Sequence, residues 1–190
     1  MLDRIMNCSN CNLCSFQPPL LDNYNEKAMV MWVGLSAKKV ENVALEIPLA
    51  NNTNTGKIIE KIESEKDFFY KTNLVKCVPL DKNGKLRYPN KDEMNSCFEN
   101  LIFELITLKP KIVFLLGSKV SNFILSKIKS KKFKNEINEE IIRILDNIEF
   151  INIYHPSYIA VYKRKEANNY ISGIQNIIAS KLNYLNIYID

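Results

Sequence analysis

Four short apolar runs fix what this chain can fold into: "AMVMWVG" (28–34), "FFYKTNLVKC" (68–77), "KIVFLLG" (111–117) and "IEFINIY" (148–154). Each has the length and β-branched or aromatic character of a buried strand. Between and after them the apolar spacing turns helical. "TGKIIEKIESE" (55–65) has a threonine able to cap its start, and "KDEMNSCFENLIFELITL" (91–108) is stopped by Pro110. "SKVSNFILSKI" (118–128), "EEIIRIL" (139–145) and a last helix from near Lys165 to about Tyr184 complete the set. Strands alternating with helices predict an α/β fold, a three-layer α/β/α arrangement around a mostly parallel four-stranded sheet. Ligands of such sheets bind beyond the carboxyl ends of the strands. That directs attention to Gly34–Lys39, Asn73–Cys77, Gly117 and His155–Ile159.

No internal repeat or linker interrupts the pattern, so residues 1–190 read as one domain, with 46% hydrophobic residues to build its core. No cationic start leads into an apolar stretch, and runs such as "IVFLLG" fall far short of the roughly 18 residues a membrane helix needs. The expectation is a cytoplasmic protein with no membrane partner. In that reducing compartment structural disulfides are not expected. A net charge of +5 suits a nucleic-acid partner without demanding one. The basic stretches "KIKSKKFKNE" (127–136) and "VYKRKE" (161–166) read, on charge alone, as solvated surface.

The cysteines ask for more. Cys8, Cys11 and Cys14 crowd into "NCSNCNLCSF", and Cys77 and Cys97 lie far along the chain. Cys8 and Cys11 form a C-x-x-C pair that can present two thiolates to one centre. Cys77 ends the second strand and Cys97 lies on the next helix, with a turn-rich segment between them. Four thiolates suit zinc or a [4Fe–4S] cluster, and spacing does not decide between them. Taken singly, Cys77 and Cys97 read equally as small buried hydrophobes.

"CSNCNL", "MWVG", "TNLVKCVP", "NSCFENLIFELITLKPKIVFLLGSKVSNFIL" and "YHPS" occur in the order found in iron–sulfur uracil-DNA glycosylases. From about residue 8 to 180 the chain resembles that superfamily, closest to its family 4 and related iron–sulfur branches. The resemblance implies Cys8, Cys11, Cys77 and Cys97 as ligands of a structural [4Fe–4S] cluster and leaves Cys14 as a spare thiol. It implies DNA as partner, a monomer, and base-excision repair as the activity.

It also implies roles at the strand ends. His155, the only histidine, matches the motif histidine that donates to O2 of the departing base. Asn73 matches the asparagine that reads the edge of the flipped base, because an amide both donates and accepts. Gly34, Leu35, Ser36 and Leu49 would line the base pocket, with Leu49 standing where an aromatic platform is usual. "NNTNTG" (51–56) offers hydroxyls, amides and a helix start to a phosphate. Tyr158 and Ile159 are candidates for the wedge that fills the gap left by a flipped base. Lys38, Ser157, Lys163 and Arg164 are candidates for DNA contact.

The first motif departs from the family. Where family 4 reads Gly-Glu-Ala-Pro-Gly, this chain reads "GLSAKK": Leu35 replaces the carboxylate, Ala37 the proline and Lys38 the second glycine. Another branch of the superfamily also carries Gly-Leu here. Glu41 and Asn42 are the nearest candidates to position water. Two functions follow: a glycosylase that hydrolyses the N-glycosidic bond of uracil or another deaminated base, or a catalytically weak or inactive iron–sulfur relative that binds DNA or nucleotides.

Overall fold

The computed structural model describes residues 2–63 and 66–186. In chain order its elements begin α1 (Asp3–Met6), β1 (Val30–Ser36), α2 (Asn54–Ile62), β2 (Phe69–Val75), α3 (Lys91–Leu108) and β3 (Ile112–Leu116). There follow α4 (Ser118–Ile128), α5 (Lys131–Glu136), α6 (Glu139–Asp146), β4 (Glu149–Ile153), α7 (Pro156–Tyr162) and α8 (Ala167–Asn186). The expected helix over 55–65 starts one residue earlier, at Asn54; its last two positions, Ser64 and Glu65, lie outside the described residues. The chain divides into two compact units, Met1–Pro48 with Asp67–Ile153, and Leu49–Lys66 with Tyr154–Asp190.

The first unit holds the sheet. Its order is β2-β1-β3-β4 and every neighbouring pair is parallel, so the α/β expectation holds; among the described residues no antiparallel strand joins it. β3 is buried along its whole length and β1 along most of it, which is why both read as unbroken apolar runs. One face packs Met31, Val33, Val113 and Leu115 into a core with Phe98, Leu101 and Leu105 of α3. On the other face Trp32 is fully buried, stacked on Phe69 and Phe114 with ring centroids 6.2 and 4.7 Å away.

β2 lies at an edge, where unpaired backbone groups invite stray pairing. The arm before β1 covers it: Leu20 N–H donates to the Lys76 carbonyl (2.8 Å), and Lys71 N–H donates to the Asp22 carboxylate (2.9 Å). α3 is defined at both ends. Asn90 and Glu93 form a reciprocal capping box, and Lys109 turns left-handed (φ 49°) before Pro110. α5 was not foreseen; "KKFKNE" reads as charged surface, but Ser130 accepts from Phe133 N–H (3.2 Å) and starts a turn there.

In the second unit α2 packs on α7 and α8, with Ile58, Ile59, Ile62, Ile159, Ile171, Ile174 and Ile178 buried. Thr53 caps α2 by accepting from Gly56 N–H (2.9 Å). A side chain at Gly56 would sit 2.0 Å from the Ala50 carbonyl oxygen, so only glycine lets the chain fold back there. α7 is a helix that the expected set does not include. Pro156 occupies its first turn, and the preceding His155 is extended (φ −61°, ψ 126°), as a residue before proline prefers.

Candidate active site and cysteine centre

All five cysteines line one small cavity of the first unit, together with Lys76 and Asn100. The segment after α1 supplies Cys8, Cys11 and Cys14, the segment just after β2 supplies Cys77, and α3 supplies Cys97. Two donors point at sulfur: Asn100 Nδ2 to Cys8 Sγ (3.2 Å) and the Lys76 backbone N–H to Cys97 Sγ (3.4 Å). Cys14 Sγ instead donates to the Cys11 carbonyl (3.2 Å). All five thiols are free.

Burial pushes the Cys77, Cys97 and Cys11 thiols up, and the neighbouring cysteines add like charge at Cys77. Bare thiolates are therefore unstable here, whereas a cationic centre would balance them. Among the described residues no three His, Cys, Asp or Glu side chains are gathered closely enough to hold a single ion. The donor chemistry nevertheless suits a thiolate-bound cluster, since sulfur ligands and N–H donors to sulfur are what such a group uses. Asn100, buried in α3, is a contributor that the sequence did not single out; its one signal is its place three residues after Cys97.

Register places Gly34 of β1 beside Asn73 of β2. Gly34 is buried, Leu35 is half-buried against the core, and Ser36 pairs with Val75. Asn73 is 3% exposed, yet no described residue hydrogen-bonds its carboxamide. The segment after β1 is tied down by Gln17, also buried: its amide donates to the Lys38 carbonyl (3.1 Å) and accepts from Val40 N–H (2.9 Å). Lys38 pairs with Glu46 at 3.6 Å. Glu41 is exposed, and Asn42 caps its own turn by accepting from Ala44 N–H.

In the second unit His155 lies two residues after the last residue of β4 and is half-buried. Its Nδ1 lies 3.3 Å from Ser157 N and 2.8 Å from Ser157 Oγ. A backbone N–H only donates, so Nδ1 must accept and the ring proton belongs on Nε2. Burial pushes the imidazole below its ordinary range, which keeps it neutral near pH 7. Ser157, a candidate for DNA contact, is thus engaged in orienting His155.

Ile159 is buried at 3% exposure, so it belongs to the packing of α7 and not to a wedge. Tyr158 is exposed and stands between Tyr154 and Tyr162, its ring centroid 6.1 and 5.5 Å from theirs. Lys163 pairs with Glu166 (2.8 Å) and Arg164 donates to the Ala160 carbonyl (3.0 Å), both on exposed surface. Leu49 has a left-handed backbone (φ 54°) and is half-buried at the start of this unit.

Comparison with known proteins decides the family. The family model described as the uracil DNA glycosylase superfamily matches residues 21–178. The chain belongs to the uracil-DNA glycosylase superfamily. Among the relatives of this glycosylase-superfamily chain, the type-4 uracil-DNA glycosylase of Archaeoglobus fulgidus is 25% identical over 186 residues, spanning 91% of this chain and 87% of the relative. That of Saccharolobus solfataricus is 26% identical over 132 residues, 68% of this chain and 59% of the relative. These similarities support the family 4-like branch. The crystal structure of wild-type Pedobacter heparinus SMUG2 shares the fold, with a TM-score of 0.54 at 16% identity over 82% of this chain and 76% of that one. Among the described residues no helix is long and apolar enough to cross a membrane.

Proposed function

We propose that this superfamily member is a monofunctional DNA glycosylase that extrudes uracil, or another deaminated base, from DNA and hydrolyses its N-glycosidic bond. The observation that carries the reading is the His155 tautomer. With Nδ1 committed to Ser157, a neutral ring presents Nε2–H as a fixed donor. Breaking the glycosidic bond leaves negative charge on the departing base. A donor aimed at its O2 is therefore stronger in the transition state than in the ground state. Asn73, its amide unengaged, would read the base edge. Gly34, Leu35, Ser36 and Leu49 would bound the base. Lys38, Lys163 and Arg164 would meet phosphates, and the exposed Tyr158 would fill the vacated stack.

Cys8, Cys11, Cys77 and Cys97 would hold the [4Fe–4S] group, which when bound supplies a structural staple and positive charge for buried sulfurs. Cys14, turned toward the Cys11 carbonyl, would stay outside the ligand set. Reconstituted with iron and sulfide, the protein should absorb near about 400 nm. That band should survive Cys14→Ala and disappear in Cys97→Ala; the reverse pattern rejects this ligand set. The protein would act as a cytoplasmic monomer on DNA.

Leu35 favours the second reading, a relative that binds an altered base without turning it over. It puts an apolar side chain where a water-positioning carboxylate would stand. One assay separates the two. Single- and double-stranded oligonucleotides carrying uracil, hypoxanthine or xanthine are incubated with the protein and treated with alkali. Cleavage that His155→Ala abolishes supports the glycosylase; retention of the oligonucleotides without cleavage on any of them supports the binder.

A further inference from the structure

Lys76 and Glu104 are both fully buried, an arrangement that a protein interior tolerates only when the charges are paired and hydrogen-bonded. Here they are. Lys76 Nζ lies 2.5 Å from Glu104 Oε2, and it also donates to Thr72 Oγ1 (2.8 Å) and to the Asn73 backbone carbonyl (2.6 Å). The Glu104 carboxylate accepts in turn from Tyr70 OH (2.9 Å) and from Thr72 Oγ1 (3.0 Å). The network ties β2 to α3 across the core.

The same lysine reaches the cysteine cavity through its backbone. Its N–H donates to Cys97 Sγ, its carbonyl accepts from Leu20 N–H, and its neighbour is Cys77. One residue therefore grips the Asn73 backbone with its side chain, and with its main chain it holds Cys97 of the thiol cavity and the arm before β1. Packing alone does not call for a charged pair at this depth, since apolar residues of similar volume would serve stability as well or better.

We propose that the Lys76–Glu104 pair is a positioning device that holds Asn73 in register with the cysteine centre, so that the state of that centre bears on how the base is read. This rests on the glycosylase-type reading of Asn73. Lys76 touches no substrate in it; the residue acts through Asn73.

The test separates positioning from stability. K76M leaves the Glu104 carboxylate buried without its counter-charge and should lower the melting temperature. K76M/E104Q removes both charges, while the glutamine amide still meets the Tyr70 and Thr72 hydroxyls. It should recover most of the lost melting temperature. If the pair positions Asn73, the double variant should still lose about tenfold or more of the wild-type preference for uracil-containing over cytosine-containing oligonucleotides, measured by binding. It should also lose the absorption near about 400 nm faster than wild type under a chelator. A double variant that recovers melting temperature, preference and chromophore lifetime together overturns the proposal.

If that variant does not fold, T72S and T72V replace it. Serine keeps the hydroxyl between Lys76 and Glu104, and valine removes it at nearly the same volume. T72S should behave as wild type and T72V should lose preference; identical behaviour of the two overturns the proposal. A wild-type chain with no preference for uracil rejects the glycosylase reading instead. Backbone hydrogen exchange across 73–77 then still decides: faster exchange at restored melting temperature supports the device, and unchanged exchange rejects it.

Discussion

The lysine that grips the Asn73 backbone, and the thiols of Cys8 and Cys97, have partners far away in sequence, whereas His155 has one two residues on. Glu104 reaches Lys76 across 28 positions and Asn100 reaches Cys8 across 92, whereas Ser157 orients the imidazole within a single turn. The first arrangement exists only if β2, α3 and the amino-terminal arm are already assembled. The second is a helix cap that its own tetrapeptide can form. The difference teaches that damage to the first region should appear as lost stability, and damage to the second as lost chemistry.

The largest effect should come from breaking the buried pair. Lys76→Met should destabilise the protein by about 3–5 kcal/mol in urea unfolding, because it strands a charge in the core. A loss below about 1 kcal/mol would place the pair in contact with solvent and undo the contrast. His155→Ala should do the opposite. Turnover should fall by about 2.7–4 kcal/mol of barrier, roughly a hundred- to a thousandfold, while unfolding changes by about 1 kcal/mol for the lost cap. Equal losses of both would mean that the two regions do not differ in kind.

Two helix caps make a smaller, matched comparison. Asn90→Ala removes the capping box of α3 in the first unit, and Thr53→Ala removes the cap of α2 in the second. Each should cost about 1 kcal/mol. If the α3 change also shortens the lifetime of the reconstituted chromophore, while the α2 change does not, the cysteine centre depends on α3 as its geometry implies.

The smallest effect is one of pH. Burial depresses the His155 pKa, so in the folded state the ring stays neutral where the unfolded chain already takes up a proton. His155's contribution to stability should be flat above pH about 6.5 and should fall as the pH drops below it. Denaturation measured at a series of pH values should show that decline in wild type, and a shallower one in His155→Ala. Parallel slopes would assign it to other groups.

Local signals in the sequence found the elements that rest on local physics. The residues of "KDEMNSCFENLIFELITL" are the whole of α3, because its periodicity, cap and terminating proline all lie within the segment. The His-Pro step was legible for the same reason, although the helix that follows it was not: "PSYIAVY" is short, and its buried Ile159 shows only once α2 and α8 are in place. Ile159 illustrates the limit, since exposure is a property of the fold and a wedge candidate can vanish into packing. Lys76 illustrates it more strongly. In "TNLVKCVP" it reads as an ordinary charged residue at the end of a strand, and nothing nearby announces Glu104.

The order of the four strands and the longer helices, the capped and proline-terminated ends of α3, and the cysteine spacing were determined by the sequence alone, because propensity, periodicity and turn chemistry act over a few residues. Which thiols face one cavity, which carboxylate meets the lysine that bonds the Asn73 carbonyl, and which side chains after His155 stay in water were decided by the tertiary structure. Those outcomes depend on burial and on pairings across tens of residues, and no local window of sequence contains them.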